Sequence, residues 1–212
     1  MTQSTWDKIY TQYEKTGTKW ASLNNPIHGS FFSFIRRSTF AKKSVLDLGC
    51  GNGKYLKFLK GIGFQVVGTD SSPTAIAMSR KTLGKKADLR IANIYTKPIP
   101  SKKYDLIISI ATMQHARKTT IKKLTNQIYR SLPINGKIFI TLPQMSSLRR
   151  WATFEKTKKI APGTYIPLLG PEKGLAHSFY EKNELKKLFA RFTHLKIARD
   201  DMGRWIITGQ KS

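Results

Sequence analysis

The sequence predicts a doubly wound α/β fold, with a mostly parallel seven-stranded sheet and helices on both faces. Three observations carry this. From Ser44 onward, short apolar runs alternate with short amphipathic helical segments, as in βαβ units. The first apolar run ends in a glycine-rich turn that opens a helix. The run Tyr104 to Ala111 is almost continuously apolar, as suits a strand buried on both faces. A chain of 212 residues fits one domain spanning 1–212, with a core of its own.

The elements follow in order. Residues 1–43 form an N-terminal helical segment. Trp6, Ile9, Tyr10 and Tyr13 recur at i, i+3, i+4 and i+7 on one helical face. A turn around Asn24 to Pro26 separates them from a second run, Phe31 to Ile35. Ser44 to Leu48 is the first strand, and the helix Lys54 to Gly61 ends at glycine. Gln65 to Thr69 is the second strand. Ser72 caps and Pro73 opens a helix that runs to about Leu83. Leu89 to Ala92 and Tyr104 to Ala111 are strands, Thr120 to Leu132 is an amphipathic helix, and Gly136 to Leu142 is the fifth strand. Residues 144–176 break the pattern. This basic insertion is rich in Gly and Pro and contains Arg149, Arg150, Trp151, Lys156, Lys158 and Lys159. A loop of that length is expected to act as a substrate lid. A helix from Glu181 to Phe189 and strands Leu195 to Arg199 and Arg204 to Thr208 complete the chain.

Charge is the unusual feature. Against 38 Lys and Arg stand 12 Asp and Glu, a net charge of +26. Solubility asks for a magnitude of only about 2 to 8 in a small domain. Lys pairs at 42–43, 85–86, 102–103, 122–123, 158–159 and 186–187 spread a phosphate-attracting field. An RNA partner is therefore expected. A membrane partner is not, because no helix near an end of the chain joins a Lys-rich face to a strong apolar one. No apolar run approaches a membrane span, and the polar N-terminus lacks a signal peptide, so a cytoplasmic address is expected. The single cysteine, Cys50, excludes an internal disulfide and a Cys-based metal site, and no metal is expected.

Between Ser44 and Pro143 the acids are Asp47, Asp70, Asp88 and Asp105. Asp47 and Asp70 sit at the ends of the first two strands. Between them, VLDLGCGNGKYL (45–56) places Gly49, Gly51 and Gly53 in one turn. Glycines there permit positive φ and let a ligand lie against the backbone at the carboxyl edge of the sheet. The spacing differs from the dinucleotide fingerprint G-x-G-x-x-G, and no Lys-Ser/Thr pair follows as in a triphosphate loop. A carboxylate at Asp70 can accept hydrogen bonds from both hydroxyls of a ribose.

This segment resembles motif I of the class I S-adenosylmethionine-dependent methyltransferases, and the similarity covers about residues 44–143. The resemblance implies the Rossmann-like methyltransferase fold and S-adenosylmethionine as cofactor. It implies that Asp47 and the backbone of Gly49 and Gly51 hold the methionine part, with Gly53 completing the turn. It places Asp70 on the ribose, Ser71 beside the adenine, and Asn93 and Ile94 around the adenine ring. The loop after the fourth strand would face the methyl group, making Ser109, Ile110, Thr112, Gln114 and His115 candidates to line the site. His115 would serve as a base or bind an anionic acceptor. Cys50, between two glycines, reads as a small buried filler. No N/D-P-P-Y/F motif follows this strand, which argues against base-amino methylation of that type.

Four pieces are similar to the tRNA wobble-uridine methyltransferases: GCGNGKYL (49–56), ISIATMQH (108–115), HSFYEKNEL (177–185) and RWIITGQK (204–211). That similarity implies methyl-ester formation on a carboxymethyl group, with Arg204 or His115 holding the carboxylate. Arg149-Arg150-Trp151 would contact phosphates and stack on a base. The leading expectation is thus an RNA methyltransferase acting on tRNA at a modified wobble uridine, with an activating partner subunit not excluded. The alternatives are a small-molecule methyltransferase and a non-catalytic nucleic-acid-binding module.

Overall fold

A computed structural model describes residues 4–17, 26–99, 103–149, 156–200 and 202–212. In chain order its elements are α1 (Thr5–Thr16), α2 (Gly29–Arg36), β1 (Ser44–Leu48), α3 (Lys54–Gly61), β2 (Gln65–Asp70), α4 (Pro73–Leu83) and β3 (Asp88–Ile91). There follow β4 (Leu106–Ser109), α5 (Lys118–Ser131), β5 (Lys137–Pro143), β6 (Thr157–Ala161), β7 (Thr164–Pro167), β8 (His177–Ser178), α6 (Lys182–Leu188), β9 (Thr193–Arg199) and β10 (Arg204–Gln210). Seven strands form the main sheet in the order β3-β2-β1-β4-β5-β10-β9. β10 runs antiparallel to both of its neighbours, and the other pairs are parallel. The expected doubly wound sheet is therefore present. Its order reverses between β1 and β4, where the chain returns from β3, and such switch points open a crevice at the strands' carboxyl ends.

Side chains alternate across the sheet with the period of a strand. Leu46, Ile107, Ile138, Ile140 and Ile207 pack on one face with Ile121, Leu124 and Ile128 of α5. Val45, Leu106, Ile108, Phe139 and Ile206 face the other way, onto Phe31 of α2, Leu56 of α3 and Ile76 of α4. Both faces are thus covered, which explains why the central strands read as continuous apolar runs.

Local chemistry sets the helix ends. The Ser4 hydroxyl accepts from Asp7 N at 3.1 Å, and Gly17 closes α1 in the left-handed region. Ser72 caps α4 and Pro73 occupies its first turn. Glu181 and Glu184 form a capping box on α6.

The insertion differs from the expected loop. Within it, β6, β7 and β8 make a second, antiparallel sheet. The β-branched and aromatic residues Thr157, Ile160, Thr164, Tyr165 and Ile166 favour strands, and Pro162-Gly163, with φ +64° at Gly163, supplies the hairpin. The small sheet is fastened to the loop after β4, because Ser178 N donates to Gln114 O at 2.9 Å and Ser178 Oγ to Ala116 O at 2.7 Å. Arg150 and Trp151, expected to touch RNA, lie outside the described residues. Among the described residues no helix is long and apolar enough to cross a membrane.

Candidate active site

The turn after β1 folds back over β2. Gly49 N and Cys50 N both donate to Thr69 O, at 2.8 and 2.9 Å. Gly49, Gly51 and Gly53 have φ of +82°, +54° and +80°. At Gly49 the demand is also steric, since a Cβ there would lie 2.2 Å from Thr112 Cγ2. Cys50 is buried with its Sγ 3.8 Å from Ser79 Oγ, and burial pushes its thiol well above the ordinary value. It is a filler, as expected.

Asp70 ends β2, and its carboxylate accepts backbone hydrogen bonds from Gly51 N at Oδ2 and Ser72 N at Oδ1, both at 3.0 Å, with the Ser71 N–H acting on it as a third donor. Burial raises the pKa of Asp70, and those backbone donors oppose the rise. Asp47 is 3% exposed, and its carboxylate accepts no hydrogen bond among the described residues. Burial, then the neighbouring Asp70, pushes its pKa up to about 8. The other two acids of this region are structural. Asp105 accepts from Lys42 N at 2.7 Å, and Asp88 pairs with Arg90 at 2.8 Å.

These groups border a cavity of about 220 Å³ at the switch point. One wall holds Asp47, Gly49, Gly51, Asp70, Ser71, Asn93 and Ile94. Trp6 and Tyr10 of α1 close it from above. Asp7 anchors that helix, its Oδ1 accepting from Ser72 Oγ at 2.6 Å and from Thr74 N at 3.0 Å. His28, Lys54, His115 and Arg204 line the cavity as well, with Thr112 packed against the Gly49 turn. Ala111 also lines it, and its φ of +55° is costly for a residue with a side chain.

Two of the expected cofactor contacts are corrected. Ser109 does not line the cavity: it is fully buried and its hydroxyl donates to Leu48 O at 2.9 Å, joining β4 to β1. Gly53 also stands back from the cavity wall, capping α3 where a Cβ would lie 2.9 Å from Ser79 Oγ. Asn93 lines the cavity, but its Oδ1 already accepts from Tyr95 N at 2.9 Å, so the amide nitrogen is its less committed atom.

Arg204 begins β10 opposite Pro143, where β5 ends. Its Nε donates to Asp200 Oδ2 at 2.9 Å, its backbone N to Asp200 Oδ1 at 2.7 Å, and its Nη2 meets His28 Nε2. Burial, then the nearby Arg204, lowers the pKa of Lys54. Lys54 and the Asp200-paired Arg204 are the basic side chains of the cavity lining. His115 stands edge-on to Trp6 and to His177, at centroid distances of 4.7 and 4.5 Å. Burial, then His177, lowers its pKa to about 3. His115 lines the cavity as expected, in a setting that favours the neutral ring.

Sequence reading missed Lys54, His28, Trp6 and Tyr10 as cavity residues. Lys54 stood in the glycine motif itself. Trp6 and Tyr10 showed only the periodicity of a core face, and nothing local marks His28.

A family profile described as a methyltransferase domain matches residues 29–192. The chain belongs to the methyltransferase domain family. Its fold and glycine motif are those of the class I S-adenosylmethionine-dependent enzymes. The chain is 24% identical over 197 residues to malonyl-acyl-carrier-protein O-methyltransferase 1 of Ilyobacter polytropus, covering 91% of this chain and 68% of that protein. It is 22% identical over 161 residues to the mitochondrial ubiquinone biosynthesis O-methyltransferase of Schizosaccharomyces pombe, covering 70% of this chain and 58% of that one. Among solved structures, a Pyrococcus horikoshii protein superposes with a TM-score of 0.73 at 16% identity, over 95% of this methyltransferase and 99% of that chain. The N-methyltransferase NodS of Bradyrhizobium japonicum, solved with S-adenosylhomocysteine, gives 0.65 at 14% identity, over 97% and 99%.

The cavity of this methyltransferase fits S-adenosylmethionine. Asp47 and Asp70 are the carboxylates that would hold the cofactor's ammonium and ribose, and the backbone of Gly49 and Gly51 leaves room along the turn. Membership of a methyltransferase domain family argues against the non-catalytic module.

Proposed function

We propose that this methyltransferase acts on a small carboxylate-bearing acceptor and forms a methyl ester. The observation that carries the reading is that two cationic side chains, Lys54 and Arg204, line the same cavity as Asp47 and Asp70. In the roles proposed, Asp47 takes the ammonium, Asp70 the ribose hydroxyls, and Ser71 with Asn93 and Ile94 the adenine. Bound there, S-adenosylmethionine supplies an electrophilic methyl group on a sulfonium. Arg204, its guanidinium aimed by Asp200, and Lys54 hold the acceptor carboxylate in line with that methyl. Trp6 and Tyr10 exclude water, which leaves the carboxylate oxygen a better nucleophile. With the methyl supplied by the cofactor's sulfonium, an ester would form on the carboxylate oxygen without a proton having to leave the acceptor. The relative named for malonyl-acyl carrier protein, an O-methyltransferase, agrees with a carboxylate acceptor.

A second reading, methylation of RNA, is favoured by the net charge of +26. One experiment separates the two. The enzyme is incubated with labelled cofactor and, in parallel, with acyl-linked dicarboxylates, phenols and total tRNA. Base-labile label on the carboxylates supports the proposal. Label on tRNA alone, with binding that weakens steeply as salt rises, replaces it with the RNA reading.

A further inference from the structure

Behind the cavity wall, the loop after β4 meets the capping sheet at three side chains that the methyl transfer described above does not use. One ring nitrogen of His115, one of His177 and a carboxylate oxygen of Glu172 all lie within 4.8 Å of one another. We propose that these three residues form a binding site for a zinc-class divalent transition ion.

Two imidazoles and one carboxylate, with a fourth position open, are a common ligand set for such an ion. Donors about 2.0–2.2 Å from one ion stand about 3.3 Å apart. His177 Nε2 and Glu172 Oε2 are already 2.9 Å apart, so His115 has the larger adjustment to make. The outer atoms that fix the ligands are in place. Leu175 O lies 3.0 Å from His177 Nδ1, which turns Nε2 toward Glu172. The turn that returns Glu172 to His177 is closed by Leu175 N donating to Glu172 O at 2.9 Å.

The buried Oε1 of Gln114 has no hydrogen-bond partner among the described residues, and the buried Nδ1 of His115 makes none of good geometry, the backbones of Ala111 and Ala176 being the polar groups nearest the ring. The Gln114 amide nitrogen lies 3.1 Å from His115 Nε2. A half-turn of that amide would place Oε1 on Nε2–H and leave Nδ1 as an unshared lone pair. Glu172 fits the role by its choice of partner. In a chain with 38 Lys and Arg, its carboxylate pairs with a histidine and with no Lys or Arg among the described residues. An ion there would tie the capping sheet to the wall of the cavity. The inference does not depend on which acceptor is methylated.

The test uses the untagged full chain, stripped with a chelator and titrated with Co2+ and then Zn2+. One equivalent of Co2+ is expected to give the intense visible absorption of low-coordinate cobalt, and Zn2+ to displace it. Glu172→Gln and His177→Asn should each weaken uptake by about tenfold or more, with S-adenosylhomocysteine affinity unchanged within about twofold. Retained cofactor binding shows that the variants fold, and it separates failure here from failure of the active-site reading. Should a variant not fold, the wild-type titration decides, with a rise in melting temperature on adding Zn2+ as its companion. No uptake by wild type, or equal uptake by the folded variants, overturns the proposal.

Discussion

Replacing Asp47 with Asn removes a carboxyl that the ligand-free protein holds largely protonated, and two opposite effects should follow. With a pKa of about 8, Asp47 is ionised in roughly one molecule in eleven at pH 7 and one in a hundred at pH 6. A bound ammonium requires the ionised form, so cofactor binding at pH 7 should release about 0.9 proton. Affinity should also rise about tenfold, or about 1.4 kcal/mol, from pH 6 to pH 7. The stability effect has the opposite sign. The folded-state pKa lies above the ordinary 3.8, so the stabilisation from the protonated group is complete in acid and is lost as pH rises toward 8. The Asn variant keeps a neutral group throughout. Ligand-free Asp47→Asn should therefore exceed wild type at pH 8 by an amount on the order of 1–4 kcal/mol, with the difference vanishing near pH 4. Calorimetry with S-adenosylhomocysteine in buffers of different ionisation enthalpy reads the proton, and thermal melts read the stability. Wild-type affinity that ignores pH between 6 and 7, with no proton released, would refute the reasoning.

Further perturbations test other parts of the site. Gly49→Ala drives a Cβ into Thr112 at a φ of +82°; it should weaken cofactor binding by about tenfold or more and cost about 1–3 kcal/mol in a denaturant melt. Asp7→Ala breaks the two bonds that hold α1 over the cavity; we expect a loss of about 1–3 kcal/mol and faster cofactor release in stopped flow. Arg204→Lys gives up the planar fork braced by Asp200, and should raise the acceptor KM by about tenfold while the cofactor Kd holds. Leu46→Ala, at a fully buried central position, should cost about 2–5 kcal/mol without changing cofactor stoichiometry.

The parts of the fold carried by short-range chemistry were legible in the sequence. The helix Lys54–Gly61 and the Ser72-Pro73 start of α4 follow from glycine, serine and proline at fixed positions. Asp47, Gly49 and Gly51 were legible in one local motif, and Asp70 because parallel pairing brings the end of the second strand beside the end of the first. The hairpin at Pro162-Gly163 was missed because a basic, Gly- and Pro-rich stretch obscured its few β-branched and aromatic residues. His28, Arg204 and Asp200 meet only after β10 inserts beside β5, and no local pattern encodes that meeting. The metal-ligand trio likewise joins residues from separate loops, with no Cys or closely spaced His pair to announce it. Ser109 was misread for the converse reason. Its place at the strand end suggested the cavity, but the pleat turns its hydroxyl toward β1.

A crystal structure with S-adenosylhomocysteine would test the cofactor assignment most directly. The ribose hydroxyls should lie within hydrogen-bond distance of Asp70, the amine against Asp47, and the sulfur should face Lys54 and Arg204. A ligand bound in the reverse direction, or outside this cavity, would contradict the account.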